Sequence, residues 1–318
     1  MKHVFGPVPS RRLGRSLGID PVPLKTCNFN CVYCQLGRTK PYTCMQREFI
    51  PSEEIVSELR SALEAHQGNN IDWITFVGSG ETALHSRLGW LIRQAKELTP
   101  IPVAVITNGS LLYRPVVRQG LAIADAVLPS LDAGSEMLFN QINRGHRVFG
   151  FETQIQGLRK FRAEYSGKLW IEVMLVRDLN DTHEALDDLS AVLETLDPDE
   201  IHISVPDRVP CEAWVEIPDA AGLDRASSTL GRTARVIRPA TGSFDLGFEG
   251  DTVDAVLAVI KRHPMREREL IRSLDQWKPG RVLETLADLA STGRSQVVLR
   301  DGTRYWCSAD AYFPDNDW

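Results

Sequence analysis

No apolar run in this chain approaches the roughly 18 residues that a membrane span needs. The Arg-rich N-terminal stretch has no apolar core behind it, so it does not read as a secretory signal, and the expected setting is cytoplasmic. Bases are too few for a global positive field: 36 Lys and Arg stand against 42 Asp and Glu, a net charge of −6. Six cysteines in 318 residues are too sparse for a disulfide framework. What is present is ordinary globular material, 43% hydrophobic and 25% charged, enough for one large domain and a small one.

Three of the cysteines crowd into Thr26-Cys27-Asn28-Phe29-Asn30-Cys31-Val32-Tyr33-Cys34. A structural zinc site closes with four ligands, usually as two close pairs. No second pair exists here, and Cys44, Cys211 and Cys307 are scattered singly, with Cys44 the one conceivable fourth ligand. Electron-transfer ferredoxins supply four cysteines per cluster in another spacing. Three thiolates on one loop instead leave one iron of a four-iron cluster with an open position, where chemistry can occur.

C-x3-C-x2-C with an aromatic, Tyr33, before the third cysteine resembles the radical S-adenosylmethionine (radical SAM) enzymes. The run Phe5-Gly6-Pro7-Val8-Pro9-Ser10-Arg11-Arg12-Leu13-Gly14-Arg15-Ser16-Leu17-Gly18-Ile19-Asp20, with Gln35-Leu36-Gly37 after the cysteines, is similar to a subgroup related to the tRNA wybutosine-synthesis enzyme. The resemblance covers roughly residues 4 to 215. It implies a [4Fe-4S] cluster on Cys27, Cys31 and Cys34, S-adenosylmethionine at the open iron, and an electron donor such as flavodoxin or ferredoxin. The related tRNA enzyme carries further cysteines for a second cluster, and this chain has no second triplet.

Strand and helix signals alternate along the chain, the order that gives parallel strands with helical crossovers. Strand-like runs lie at 16–24, 73–77, 103–107, 124–129, 169–176 and 200–204, and helix-like runs at 51–66 and 87–98. The expected α/β fold is a partial (β/α)6 barrel over residues 1–215, with its site at the C-terminal strand ends. Residues 216–250 read as a Pro- and Gly-punctuated connector.

The strand ends gather polar residues. Gly78-Ser79-Gly80-Glu81 follows the second run and Thr107-Asn108-Gly109 ends the third. Glycines let backbone approach a ligand, and a carboxylate beside them accepts from an ammonium or hydroxyl. The resemblance assigns Gly80 and Glu81, beside Gly78 and Ser79, to the methionine amino group of S-adenosylmethionine. In the family a proline follows the glutamate, where this chain has Thr82. Ser130 and Asp132 alternate onto one face after the fourth run, and resemblance gives Ser130 a cofactor contact, although Ser135 offers a competing helix cap. Tyr33, Asn108, Asp132 and Glu172 complete the expected cofactor-binding set. Glu172 lies in an apolar strand and shares a face with Met174, which points it into a polar lumen or onto an exposed edge. His202 reads as a core residue or a contact to adenine or substrate, and Arg144 and Arg147 as anion contacts or solvated charge. No catalytic acid or base is chosen.

Residues 251–318 show three helix-like stretches, 252–262, 266–274 and 279–291, then a hairpin of Ser295–Leu299 and Thr303–Cys307 around Asp301-Gly302. That is the pattern of a winged helix. Its third helix, with Lys278, Arg281, Glu284 and Asp288, has mixed charge, so DNA binding stands beside protein docking or a lid on the barrel. Two function classes follow: a radical enzyme acting on RNA, protein or a metabolite, and an iron-sulfur redox sensor that binds DNA. Within the first, cleavage yields either a 5′-deoxyadenosyl radical or a transferred 3-amino-3-carboxypropyl group.

Overall fold

A computed structural model describes residues 2–66, 71–237, 252–274 and 279–314. Among them an eight-stranded sheet runs in sequence order: β1 (Val4–Ser10), β2 (Gly14–Ile19), β3 (Trp73–Phe76), β4 (Val103–Thr107), β5 (Ala126–Pro129), β6 (Lys168–Met174), β7 (Glu200–Ser204) and β8 (Ala234–Val236). The strands β2 to β8 are parallel and β1 pairs antiparallel with β2. Helices α1 (Ser52–Ala65), α2 (Leu88–Leu98), α3 (Pro115–Leu121), α4 (Glu136–Ile142), α5 (Phe151–Glu164), α6 (His183–Leu196) and α7 (Ala220–Leu230) supply the crossovers.

Period-2 alternation divides each strand between two faces. Ile74, Phe76, Val103, Val105, Val127, Leu169, Ile171, Val173, Ile201 and Ile203 face the helices and form the main core. The alternate residues Ala104, Ala126, Leu128 and Trp170 form a separate small cluster with Leu13. In that cluster the rings of Trp73 on β3 and Trp170 on β6 meet edge-on at 5.8 Å. Two strands lie between β3 and β6, so the sheet curls until its concave face touches itself. This is the open partial barrel, unclosed between its edges β1 and β8.

Two strands depart from the sequence reading. β1 contains Pro7 and Pro9 and carries no clean strand signal, because proline removes ladder donors and is tolerated only at an edge, where β1 lies. β8 is three residues long, with Arg235 at its centre, and falls with α7 in the stretch read as connector. Residues 238–250 of that stretch lie outside the described residues.

The C-terminal part comprises α8 (Thr252–Arg262), β9 (Met265–Arg266), α9 (Glu267–Ser273), α10 (Pro279–Ser291), β10 (Ser295–Arg300) and β11 (Thr303–Ser308). Its three strands form an antiparallel sheet in the order β10-β11-β9. The turn works because Asp301 and Gly302 take φ of 48° and 69°, the double left-handed pair that a tight hairpin demands. In α10 the buried face is Val282, Thr285, Leu286 and Leu289, while Leu283 points outward, so the stripe runs at helical 3–4 spacing. Lys278 lies outside the described residues.

This small unit sits against the barrel's mouth. Arg38 donates its backbone N–H to the Tyr312 carbonyl at 2.7 Å, beside Gly37, where any side chain would overlap the Tyr312 backbone. Arg300 reaches the carbonyls of Pro206, Arg208 and Val215 at 2.9, 2.6 and 3.0 Å. Both contacts fall on segments that follow functional elements, the cysteine loop and β7.

Candidate active site

The cysteine loop crosses the C-terminal ends of the strands. Its apolar residues Phe29 and Val32 anchor it on a small core with Leu138, Phe139 and Ile142 of α4, and Phe29 meets Phe139 edge-on at 5.4 Å. Burying Phe29 contributes on the order of 1.5–3 kcal/mol toward holding the loop. Each thiol then meets a nitrogen donor. Phe29 N–H and Asn108 Nδ2 point to Cys27 Sγ at 3.4 and 3.8 Å, Asn143 Nδ2 to Cys31 Sγ at 3.7 Å, and Lys25 Nζ to Cys34 Sγ at 3.1 Å. Such donors suit thiolates, which gain from hydrogen bonds as ligands. Without a metal, burial and then the Glu81 carboxylate push Cys27 up to about 12. Burial, then Asp132, also raises Cys31 well above its ordinary value.

Among the described residues no trio that includes a cysteine brings its ligand atoms within 4.8 Å of one another. Three thiols on one short loop, each facing a nitrogen donor, suit the three-thiolate set of a four-iron cluster.

Around the loop the carboxylates are occupied. Asp132, 1% exposed, accepts from Tyr33 Oη at 2.6 Å, Asn143 Nδ2 at 2.6 Å and Met174 N–H at 2.8 Å. Glu81, 2% exposed, accepts from Ala83 N–H at 2.9 Å, Thr107 Oγ1 at 2.5 Å and Asn108 N–H at 2.7 Å. Burial raises both carboxyls' pKa, partly offset by these donors. Their side chains thus join strand ends to each other, β3 to β4 and β5 to β6, leaving little to offer a ligand. Ser79 is similarly engaged, donating N–H and Oγ to Asp20 at 2.9 and 2.5 Å. Gly80 lies so close to Thr26 that a methyl would overlap its carbonyl. Gly78, Ser79 and Gly80 therefore carry backbone, rather than side chains, past the cysteine loop.

Asn108 Nδ2 bonds Asn28 Oδ1 at 2.8 Å, and its Oδ1 accepts from Ser110 N–H at 3.0 Å. Ser130 is different. Its backbone is tied to Thr107 and Gln154 and pairs with Glu172, but its half-buried hydroxyl has no partner among the described residues. Glu172 shares the concave face with Trp170 and ion-pairs with Arg12, which reaches in from the β1–β2 turn. His202, the register neighbour of Glu172 on β7, bonds Glu200 at 3.0 Å and stacks near Trp170 at 5.5 Å, and burial lowers its pKa. Arg144 pairs with Glu212 at 2.6 Å.

Lys25, Asn143 and Arg12 were not singled out by sequence reasoning. Lys25 and Asn143 lie beside motif residues, at the loop's start and after α4, but their aim at sulfur is a tertiary fact. Cys211 comes into the same neighbourhood: burial, and then the proximity of Cys34, pushes its thiol up to about 12.

A family model described as the radical SAM superfamily matches residues 22–189. A UPF0026 protein of Methanocaldococcus jannaschii is 32% identical over 278 residues, 86% of this chain and 86% of that protein. A Brachyspira hyodysenteriae protein named GTPase Obg is 46% identical over 202 residues, 64% of this chain, which spans only 29% of that protein's length. The crystal structure of a radical SAM methyltransferase from Sphaerobacter thermophilus superposes with a TM-score of 0.53 at 18% identity, covering 70% of this chain and 66% of that one, a likeness of fold.

Proposed function

Because the chain belongs to the radical SAM superfamily, enzymes whose cofactors are a [4Fe-4S] cluster and S-adenosylmethionine, we propose that Cys27, Cys31 and Cys34 hold the cluster and that the adjoining strand ends hold S-adenosylmethionine. The observation that carries this assignment is the sulfur arrangement: three half-buried thiols on one loop, each with a protein N–H donor.

When bound, the two cofactors supply one-electron cleavage of a carbon–sulfur bond, giving methionine and a 5′-deoxyadenosyl radical that removes a substrate hydrogen. The chain's own task is to position and exclude. Lys25 places a positive charge 3.1 Å from Cys34, offsetting the charge that three thiolates bring. Asp132 fixes Tyr33 and Asn143, and through Asn143 the Cys31 sulfur, so the loop is set before any ligand arrives. The Ser79 carbonyl is taken by the Lys25 N–H at 2.5 Å, so the backbone of Gly78 and Gly80 offers carbonyls to an ammonium, and the Ser130 hydroxyl is the uncommitted side-chain group of the expected set. Glu81 and Asp132 act as positioning residues. The substrate occupies the lumen above Trp170, with Glu172 and Arg12 in its wall. The exposed face of α10 carries Glu284 and Asp288 beside Arg281, so nothing favours the DNA-binding regulator.

The test is anaerobic reconstitution with iron and sulfide, then reduction by dithionite with S-adenosylmethionine, the products being identified by mass spectrometry. The expected product is 5′-deoxyadenosine, with flavodoxin or ferredoxin able to replace dithionite. Methylthioadenosine in its place would redirect the reading to 3-amino-3-carboxypropyl transfer. A protein loaded with cluster that released no cleavage product would sink the assignment.

A further inference from the structure

The seam where the β1–β2 turn, the segment after β7 and the C-terminal unit meet gathers more cations than its ion-paired carboxylates balance. The β1–β2 turn sends Arg11 to Asp207 at 2.6 Å and Arg12 to Glu172. Arg208 follows directly, and its carbonyl is held by Arg300 of the C-terminal unit at 2.6 Å. Arg262, at the end of α8, lies 3.3 Å from Asp20 and over the Phe5 ring at 4.5 Å. Glu269 is engaged by Arg266 at 3.9 Å. Four guanidiniums, Arg11, Arg12, Arg208 and Arg262, thus meet three carboxylates, Asp207, Glu172 and Asp20.

Arg208 is the surplus. Its Nη1 is buried without a hydrogen-bond partner among the described residues, and so is Arg12 Nε. A buried donor without a partner is costly, more so when charged. The cations also act on one another. Burial and then Arg11 lower both Arg12, to about 10, and Arg208, for which Asp207 and Glu269 offset part of the effect. His263 is held well below its ordinary value by burial, then by Arg208, Arg262 and Arg11. An anion placed among them removes this repulsion and completes the orphan donors.

We infer that this seam between the lumen and the C-terminal unit binds an oxyanion of the substrate, a phosphate or a carboxylate, on Arg208 and Arg12. Calling the ligand a substrate rests on the enzyme assignment above, whereas the anion site rests on the geometry alone. A guanidinium's fixed fork of donors suits either oxyanion. The C-terminal unit is then part of the substrate site, supplying Arg262 and His263 and, through Arg300, the placement of Arg208.

The test uses the full chain with its cluster loaded. Thermal unfolding is followed against inorganic phosphate and against malonate, with sodium chloride at matched ionic strength as reference. Saturable stabilisation beyond chloride is expected. A stronger response to phosphate identifies a phosphate group on the substrate, and a stronger response to malonate a carboxylate. Arg208→Gln should weaken the apparent affinity about ten- to a hundredfold, as for loss of a hydrogen bond to a charged group, and Arg208→Lys should retain part of it. Melting in chloride alone confirms that each variant folds. No response beyond chloride in the unaltered protein, or an Arg208→Gln response equal to it, overturns the inference. Cleavage of S-adenosylmethionine by the unaltered protein is measured in parallel. Cleavage without an anion response overturns the oxyanion site and spares the enzyme assignment, while an anion response without cleavage does the reverse.

Discussion

Two regions of the barrel differ in how their polar groups are used: the strand ends under the cysteine loop, and the seam between the β1–β2 turn and the segment after β7. On the cysteine side Asp132 and Glu81 each accept three hydrogen bonds from neighbouring strand ends and loops. At the seam Arg12 and Arg208 keep buried N–H groups with no hydrogen-bond partner among the described residues. A wall whose hydrogen bonds are complete has one arrangement and needs no ligand to set it, the condition for holding a cofactor in fixed geometry. A wall left with unmatched positive charge is completed by something that arrives. The difference is what the proposals above expect of a region that holds a cofactor and of one that takes a substrate's anion.

The largest test of that division is on the cysteines. Replacing Cys31 by Ser should bring iron and sulfide retention and S-adenosylmethionine cleavage to background, while thermal unfolding of the cluster-free protein changes little, since the loop is anchored by Phe29 and Val32. Iron content, cleavage product and melting curve together check it.

Next is the ion pair that spans the lumen. Glu172→Gln leaves Arg12, whose side chain is 17% exposed, without its counter-charge and should cost about 3 kcal/mol of stability. A double variant with Arg12→Met and Glu172→Leu should recover most of the loss, because removing both charges also removes the desolvation penalty. If the single and double variants unfolded alike in denaturant, the pair would carry no stability and the wall would be less constrained than argued.

A smaller effect is expected on the completed wall. Asp132→Asn puts an amide where two acceptor oxygens face three donors, costing about 1–3 kcal/mol. It frees Tyr33 and Asn143 together, so cluster retention should fall in step with stability. A stability loss that left the reconstituted cluster unaffected would show that Asp132 braces β5 and β6 but not the cysteine loop.

Much of this was legible in the chain. The triplet, the aromatic at Tyr33 and the alternation of β3 to β7 are local patterns, and they suffice for the partial barrel and its cofactors. The roles of Glu81 and Asp132 were less visible, since a carboxylate beside glycines reads as a ligand contact and only tertiary structure shows its oxygens already occupied. Arg11 and Asp207 are 196 residues apart, and no local pattern announces that a hairpin tip and a segment after β7 meet across an open barrel. β1 escaped notice for a chemical reason: Pro7 and Pro9 speak against a strand anywhere but at an edge.

Beside the Ser130 hydroxyl and Arg38 Nε, one more polar atom on the cysteine side lacks a partner among the described residues. Thr82 follows Glu81 and opens the short 3-10 turn Thr82–Leu84, and its Oγ1 is buried without a partner. Glu81 has extended backbone, φ −89° and ψ 112°, the conformation that a following proline favours. Proline is also well placed at a first helical position, where an N–H has no intrahelical partner to lose. Thr82→Pro should therefore remove an orphan hydroxyl and restrict the unfolded chain at once, stabilising the protein by about 0.4–1 kcal/mol. A melting temperature raised by about 1–4 °C would confirm that the Thr82 hydroxyl does no work in this wall. A lowered one would mean that the Thr82 hydroxyl or its N–H is used, and that the cysteine side holds an unmet demand of its own.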